Sequence, residues 1–428
     1  MFEEWLLDDQ AALTRADGAG LLLDLASAGA TVRRAVRLAD EAGLDRLRPE
    51  GRPRAVLVAG HGTAAVAGEV LAALGGTVCP VTVLAPSLTD PAHPSDRPGP
   101  QASASDLRSD FALSLDWALP GWVGPSDLLL ILSTDGTEPG LIALAELAYT
   151  RGCSVVSVAP AGSSLAGATL QVRGLPLPFA TVGGVEPVPG LERDLPQETP
   201  SALWGLLAPA LAFADRVGIV SIPVSSLQSA ADQLDDMAVR CGPAADTYSN
   251  PAKSLAIHLD GVLPLLWSDG PGTAAVSRRF AAMLSTEAAR PALTGMLPDA
   301  LTSQYGLLRG QLGAESDEDD FFRDRTEDSD ALRYKIFLLR RTQQSIGSPT
   351  HPEPLPLLQP EPEPDAAPAP APYAVARVHR LATDHRIGIQ ELTSALPDSL
   401  GAITELVALT DFAAVYLGLA SSSSPRVR

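Results

Sequence analysis

Hydrophobic positions in the first half of the chain gather into short continuous runs separated by helical stretches. Residues 55–59 (AVLVA) form an apolar run ending at Gly60, and the spacing beyond it predicts a helix over 63–74. Residues 80–84 (PVTVL) and 127–133 (DLLLILS) supply a second and a third strand. The third leads through Asp135, Gly136 and Thr137 into a helix over 140–149, and residues 154–158 (SVVSV) give a fourth strand. Strands apolar at every position and alternating with helices indicate a parallel sheet covered on both faces. The first half therefore reads as a doubly wound α/β domain.

The pattern resumes more weakly after a helix-rich connection, 201–218 and 226–241. Residues 250–259 read as helix, 262–267 as strand and 273–289 as helix. Pro264 places that strand near an edge, or the proline among its first positions. Residues 321–324 suggest a further short strand, and 331–344 and 373–419 read as helical. Three segments lack a core of their own: a Pro/Ser/Asp-rich surface insertion at 87–110, an acidic Pro/Ala linker at 349–372, and a Ser-rich tail at 421–428. The expected organisation is two domains, 1–200 and 201–428.

Composition narrows the function classes. A chain of 428 residues suits two domains better than one. The formal charge of −20 argues against electrostatic attraction to nucleic acid or to an anionic membrane, although part of it is concentrated at 315–330. Cys79, Cys153 and Cys241 are far apart and form no CxxC, which fits a reducing compartment. No apolar stretch is expected to reach the roughly 20 residues that span a bilayer. The acidic residues 1–10 lack the basic start of a signal peptide. The expectation is a cytoplasmic protein with no nucleic-acid or membrane partner. His258, His379 and His385, read as helical, make no metal-ligand spacing with Cys or Asp, so no metal site is expected.

Two loops carry candidate chemistry. Gly60, His61, Gly62 and Thr63 lie between strand and helix, where glycines let an anion approach and the helix N-terminus offers N–H groups. Ser133, Thr134, Asp135, Gly136, Thr137 and Glu138 close the third strand; such hydroxyls either hold a phosphate or cap the following helix. Both loops belong to carboxyl ends of one parallel sheet, where ligands of open α/β sheets collect.

With these loops in view, the chain resembles the SIS-domain phosphoglucose/phosphomannose isomerases from about Leu22 to Leu419, the inserts excepted. Residues 60–64 (GHGTA) stand at that family's GMGGS-like loop and 133–138 (STDGTE) at its SYSGNT-like loop. Residues 249–256 (SNPAKSLA) resemble its NPAK helix start, 286–292 with 297–299 its ENAKxPA and PExxHN stretches, and 322–325 and 410–417 its later signatures.

The resemblance implies two tandem SIS-type α/β domains with a helical C-terminal region, a homodimer with its site across subunits, and no cofactor. It also implies aldose–ketose isomerisation of sugar 6-phosphates, which needs a phosphate cradle, a proton-transferring base and a ring-opening group. On that basis Gly60, His61, Gly62, Thr63, Ser133, Thr134, Gly136 and Thr137 are the expected sugar-phosphate contacts. Glu287, one residue beyond the family's glutamate position at Thr286, is the expected base.

Several family positions are altered. The first-loop serine falls on Ala64, the substrate arginine on Ser201 after Pro200, and the ring-opening histidine on Thr302. Asp135 and Glu138 bring carboxylates into the second loop, although a one-residue gap would put Thr137 on the threonine position; the C-terminal lysine has no counterpart. Two functions stay open: an altered isomerase using Glu287, or a non-catalytic descendant that binds a sugar derivative or a protein partner and regulates or scaffolds.

Overall fold

The computed structural model describes residues 2–49, 51–88, 115–182, 198–310, 333–342 and 373–421. After a 3-10 turn, three helices open the chain: α1 (Gln10–Ala16), α2 (Leu21–Ala26) and α3 (Ala28–Glu41). The first sheet then alternates with helices through β1 (Val56–Ala59), α4 (Thr63–Gly75), β2 (Val81–Val83), the short β3 (Ser87–Leu88) and β4 (Leu115–Asp116), β5 (Leu128–Leu132), α5 (Pro139–Thr150), β6 (Ser154–Pro160), α6 (Ser164–Gln171) and β7 (Leu175–Phe179). Its order is β2-β1-β5-β6-β7, every pairing parallel. β3 and β4 pair antiparallel beside it.

The second half runs α7 (Ala202–Arg216), α8 (Val224–Arg240), α9 (Pro251–Leu259), β8 (Val262–Ser268), α10 (Pro271–Ala288), β9 (Leu293–Met296), α11 (Ala300–Ser303), α12 (Tyr305–Leu308), β10 (Arg333–Arg341), α13 (Tyr373–Asp384), β11 (Gly388–Ser394) and α14 (Ser399–Ser421). Its sheet is also parallel, in the order β11-β10-β8-β9.

Period-2 alternation along strands buried on both sides divides the interior into three layers. Val56 and Val58 of β1, with Leu128, Leu130 and Leu132 of β5, face a central core, whereas Leu57, Ala59, Leu129 and Ile131 face an outer one under α5 and α6. The second sheet repeats the arrangement: Leu266, Phe337 and Leu339 face the same central core, and Leu265, Trp267, Ile336 and Leu338 face a third core under α13. One shared helical layer, including α3, α4, α7, α8, α10 and α14, therefore lies between two sheets. The fold is α/β with both sheets wound on two faces, as the alternation predicted.

Four expectations need correcting. Residues 333–341, read as part of a helix, form β10, because their apolar centre Ile336–Leu339 is buried between two partner strands and not along one helical stripe. The stretch 373–419 is not continuously helical: α13 ends at Asp384, Arg386 turns the chain with φ +53°, and β11 intervenes on the sheet edge. His385, read as helical, lies just beyond the end of α13 and is buried. α14 is long and apolar enough to cross a membrane by length and composition, contrary to the expectation that no apolar stretch is. Thr404, Glu405, Thr410 and Asp411 break the run yet leave the helix apolar on average, and in this fold most of α14 is buried in the central core.

Pro264 sits one residue before the β9 pairing begins at Leu265, so its missing N–H costs no bond on that side. The strand expected at 321–324, the acidic run 315–330, the linker 349–372 and the tail 422–428 lie outside the described residues. So does the 87–110 insertion beyond Ser87 and Leu88, which form β3.

Candidate functional site

From β1 the chain turns one way to β2 and then crosses to β5 on the other side, so the order reverses between β1 and β5. A crevice opens where adjacent connections leave a parallel sheet in opposite directions. The loops that end β1 and β5 face each other across this point. α10 from the second half lies against α4 and closes the cavity, which measures about 390 Å³. Its lining includes His61, Gly62, Thr63, Ser133, Thr134 and Asp135 from the two loops, Glu198 and Pro200 from the segment before α7, and Arg279, Thr286 and Glu287 from α10.

The first loop is built for close approach. Gly60 is buried where a Cβ would meet the Leu132 carbonyl oxygen at 2.6 Å, so it serves the β1–β5 contact and lies outside the cavity lining. Gly62 has φ +58°, a left-handed conformation that favours glycine, and it presents the Thr63 amide at the α4 N-terminus. That amide donates to Glu198 Oε2 at 3.1 Å. Across the crevice the Thr134 hydroxyl donates to Glu198 Oε1, also at 3.1 Å. One carboxylate thus bridges both loops.

The second loop satisfies itself. The Ser133 hydroxyl donates to Asp135 Oδ1 at 2.9 Å, and the Thr137 amide and hydroxyl donate to the same carboxylate, each at 3.1 Å. The Gly136 amide donates to Ser133 Oγ. Burial pushes Asp135 up, but the Thr137 amide and the two hydroxyls outweigh it and hold the carboxyl below its usual range. Gly136 and Thr137 are not among the cavity residues; Gly136, at φ +66°, makes the turn under Ser163.

Glu138 points away from the loop centre. Its Oε1 accepts from Trp117 Nε1 at 2.5 Å, and its Oε2 lies 3.3 Å from His61 Nε2. The Glu138 carboxylate beside it raises the His61 imidazole above its ordinary pKa, against the effect of burial. His61 is therefore held at the cavity mouth by an anchored carboxylate.

Arg279, a residue that sequence reasoning passed over, forms the floor. Its side chain is 5 % exposed and pairs with Asp411 of α14, Nη2 to Oδ2 at 3.1 Å, while Nε donates to both carboxylate oxygens at 3.3 Å. Nη1 donates to Thr63 Oγ1 at 3.1 Å and Nη2 to the Pro200 carbonyl at 2.9 Å. Arg279 thereby joins α10, α14, α4 and the strap before α7. Burial pushes Asp411 up and the guanidinium opposes it.

Ser201, at the family's arginine position, does not line the cavity; its amide and hydroxyl each donate to Asp24 at 2.7 Å behind it. Thr302 is exposed on α11, its hydroxyl donating to the Asp299 carbonyl, and it too is absent from the lining. Both Thr286 and Glu287 line it. Arg279 and Asp411 carried a signal: each is a lone charge on an otherwise apolar helical face. Glu198 carried none.

Comparison with known proteins agrees with this geometry. Residues 248–348 match the family model for the bacterial phospho-glucose isomerase C-terminal SIS domain. No curated protein matches the sequence. Among solved structures, the C-terminal domain of glucosamine-fructose-6-phosphate aminotransferase from Francisella tularensis superposes with a TM-score of 0.54 at 10% identity, covering 95% of this chain and 98% of that one. A protein described as a proposed phosphosugar isomerase from Silicibacter pomeroyi DSS-3 gives 0.54 at 12% identity, covering 94% and 98%. Another so described, from Clostridium difficile 630, gives 0.53 at 11%, covering 94% of each chain. The fold is that of the SIS phosphosugar isomerases. The match over residues 248–348 is in keeping with the resemblance read from the sequence.

Proposed function

We propose that the chain is a SIS-domain carbohydrate-derivative-binding protein that does not interconvert aldose and ketose 6-phosphates. One observation carries the reading: the cavity at the switch point keeps both ligand loops, yet their hydroxyl and amide donors are committed to the carboxylates of Glu198 and Asp135. An isomerase site must hold phosphate and also open the sugar ring. Here the cradle is acidic, and the ring-opening position, Thr302, has no titratable group to offer. Arg279 cannot readily replace the missing arginine, because Asp411, Thr63 and Pro200 already occupy its donors. Groups that act as a unit in catalysis lose activity together when one is removed.

A second reading, an altered isomerase with Glu287 as base, is favoured by the presence of Glu287 in the cavity lining. The two readings separate in one experiment. Purified protein is titrated calorimetrically with mannose, fructose and their 6-phosphates, and each ligand that binds is then assayed for coupled isomerisation. The first reading expects binding without turnover. Turnover that disappears in Glu287→Gln would replace it with the second. The homodimer and the cytoplasmic location belong to the proposal as well, the dimer being checked by light scattering.

A further inference from the structure

We propose that Glu198 occupies the seat a sugar phosphate would take in the cradle, so that the cavity selects an unphosphorylated sugar. The inference rests on the reading of this cavity as a carbohydrate site and names the ligand class within it. A phosphate held at a switch point needs N–H and O–H donors from both flanking loops, including the N–H groups at a helix N-terminus. In this chain the two donors that converge from opposite sides are the Thr63 amide and the Thr134 hydroxyl. Glu198 takes one with each oxygen, as two oxygens of a phosphate would. The contact spans 135 residues in sequence for Thr63 and 64 for Thr134, so it is tertiary and not a local turn.

The remaining groups tell the same way. Ser133 and Thr137 are bound to Asp135, and the Arg279 guanidinium is turned to Asp411, Thr63 and Pro200. A phosphate dianion entering here would have to displace Glu198 and then stand beside two or three carboxylates; of the cations lining the cavity, Arg279 is already paired with Asp411 and His61 lies beside Glu138. Free sugar hydroxyls meet the opposite situation. A carboxylate is an acceptor only, and three of the cavity's lining residues, Asp135, Glu198 and Glu287, carry one, a lining chemically matched to hydroxyl donors. Two acidic residues, Glu198 from the segment before α7 and Asp135 in the second loop, thus suit the cradle to a polyol and not to a phosphate.

The test is calorimetric titration of the full-length protein, Glu198→Ala and Glu198→Gln with glucose, mannose, fructose and their 6-phosphates. The expected result is that the native protein binds a free hexose at least about tenfold more tightly than its 6-phosphate, a difference of about 1.4 kcal/mol. Glu198→Ala should lose hexose affinity and gain 6-phosphate affinity by a similar factor. Glu198→Gln, which keeps the shape but adds an amide donor, should move in the same direction and guards against a folding defect in the alanine variant. Native protein that binds a 6-phosphate more tightly than the free hexose, with neither variant changing that preference, would overturn the specificity claim and leave the carbohydrate site standing. No binding of any sugar or sugar phosphate to all three proteins, each shown folded by circular dichroism, would overturn both.

Discussion

Replacing Arg279 by Met should destabilise the protein by about 3–5 kcal/mol at pH 7.5, the range for breaking a buried ion pair from one side. The structure explains why the cost should be that large. Arg279 and Asp411 are 5 % and 1 % exposed, and the guanidinium is the charge that pairs with the Asp411 carboxylate. Without it, Asp411 is left ionised in the shared helical layer, or else takes a proton. Burial already pushes this carboxyl above its ordinary range, and Arg279 is the leading force opposing that shift.

The sign of the pH dependence follows. Removing Arg279 raises the native-state pKa further, so the native state binds more protons than the unfolded chain between the ordinary Asp range near 3.9 and that higher value. Stability of the variant must then fall as pH rises through this window. Its deficit against the native protein should be smaller at pH 5 than at pH 7.5. Urea unfolding followed by circular dichroism at both pH values measures it. A companion variant, Arg279→Met with Asp411→Leu, removes both charges and should recover most of the loss. A loss under about 1 kcal/mol, or one that grows toward acid pH, would refute the claim that this buried pair holds α10 to α14 at the floor of the cavity.

Three further outcomes are expected. Gly418→Ala should cost at least about 1–3 kcal/mol in the same unfolding assay, because its Cβ would stand 2.1 Å from the Glu287 carbonyl where α14 crosses the end of α10. Asn250→Ala should cost about 1–2 kcal/mol, since the Asn250 side chain accepts from the Ala252 and Lys253 amides and donates to the Gly242 carbonyl. NMR titration should find the His61 imidazole protonated to higher pH than an ordinary histidine, and Glu138→Gln should bring it down. Its contribution to stability is therefore complete below the unfolded pKa near 6.5 and is lost as pH rises through the folded value.

The elements that could be read from sequence were those whose burial is uniform. β5 is buried at all five positions and β1 at all four, so each appears as an unbroken apolar run whatever its neighbours. Strands with mixed surroundings were harder to see. β7 contains Pro176 and Pro178, which resemble a loop; at alternate positions on an edge strand, their missing N–H groups share one side. β11 is half exposed at the edge of the second sheet, and its GIQELTS composition does not distinguish strand from helix. Charged residues at both ends of β10 concealed a buried centre.

The same contrast applies at the site. The two glycine-containing loops and Glu287 could be placed because motif order survives divergence. Glu198 could not, because its role comes from a contact between distant segments and not from any local pattern. Arg279 was obscured by the search for an arginine beside Pro200. The structure brings Arg279 to that place from α10, with its guanidinium on the Pro200 carbonyl.

The central claim, a carbohydrate site without isomerase chemistry, is tested most directly by following a ligand shown to bind through a coupled isomerase assay at saturating concentration. The account predicts calorimetrically measurable binding and no turnover above the background of heat-inactivated protein. Turnover of a hexose 6-phosphate that is abolished by Glu287→Gln would contradict it.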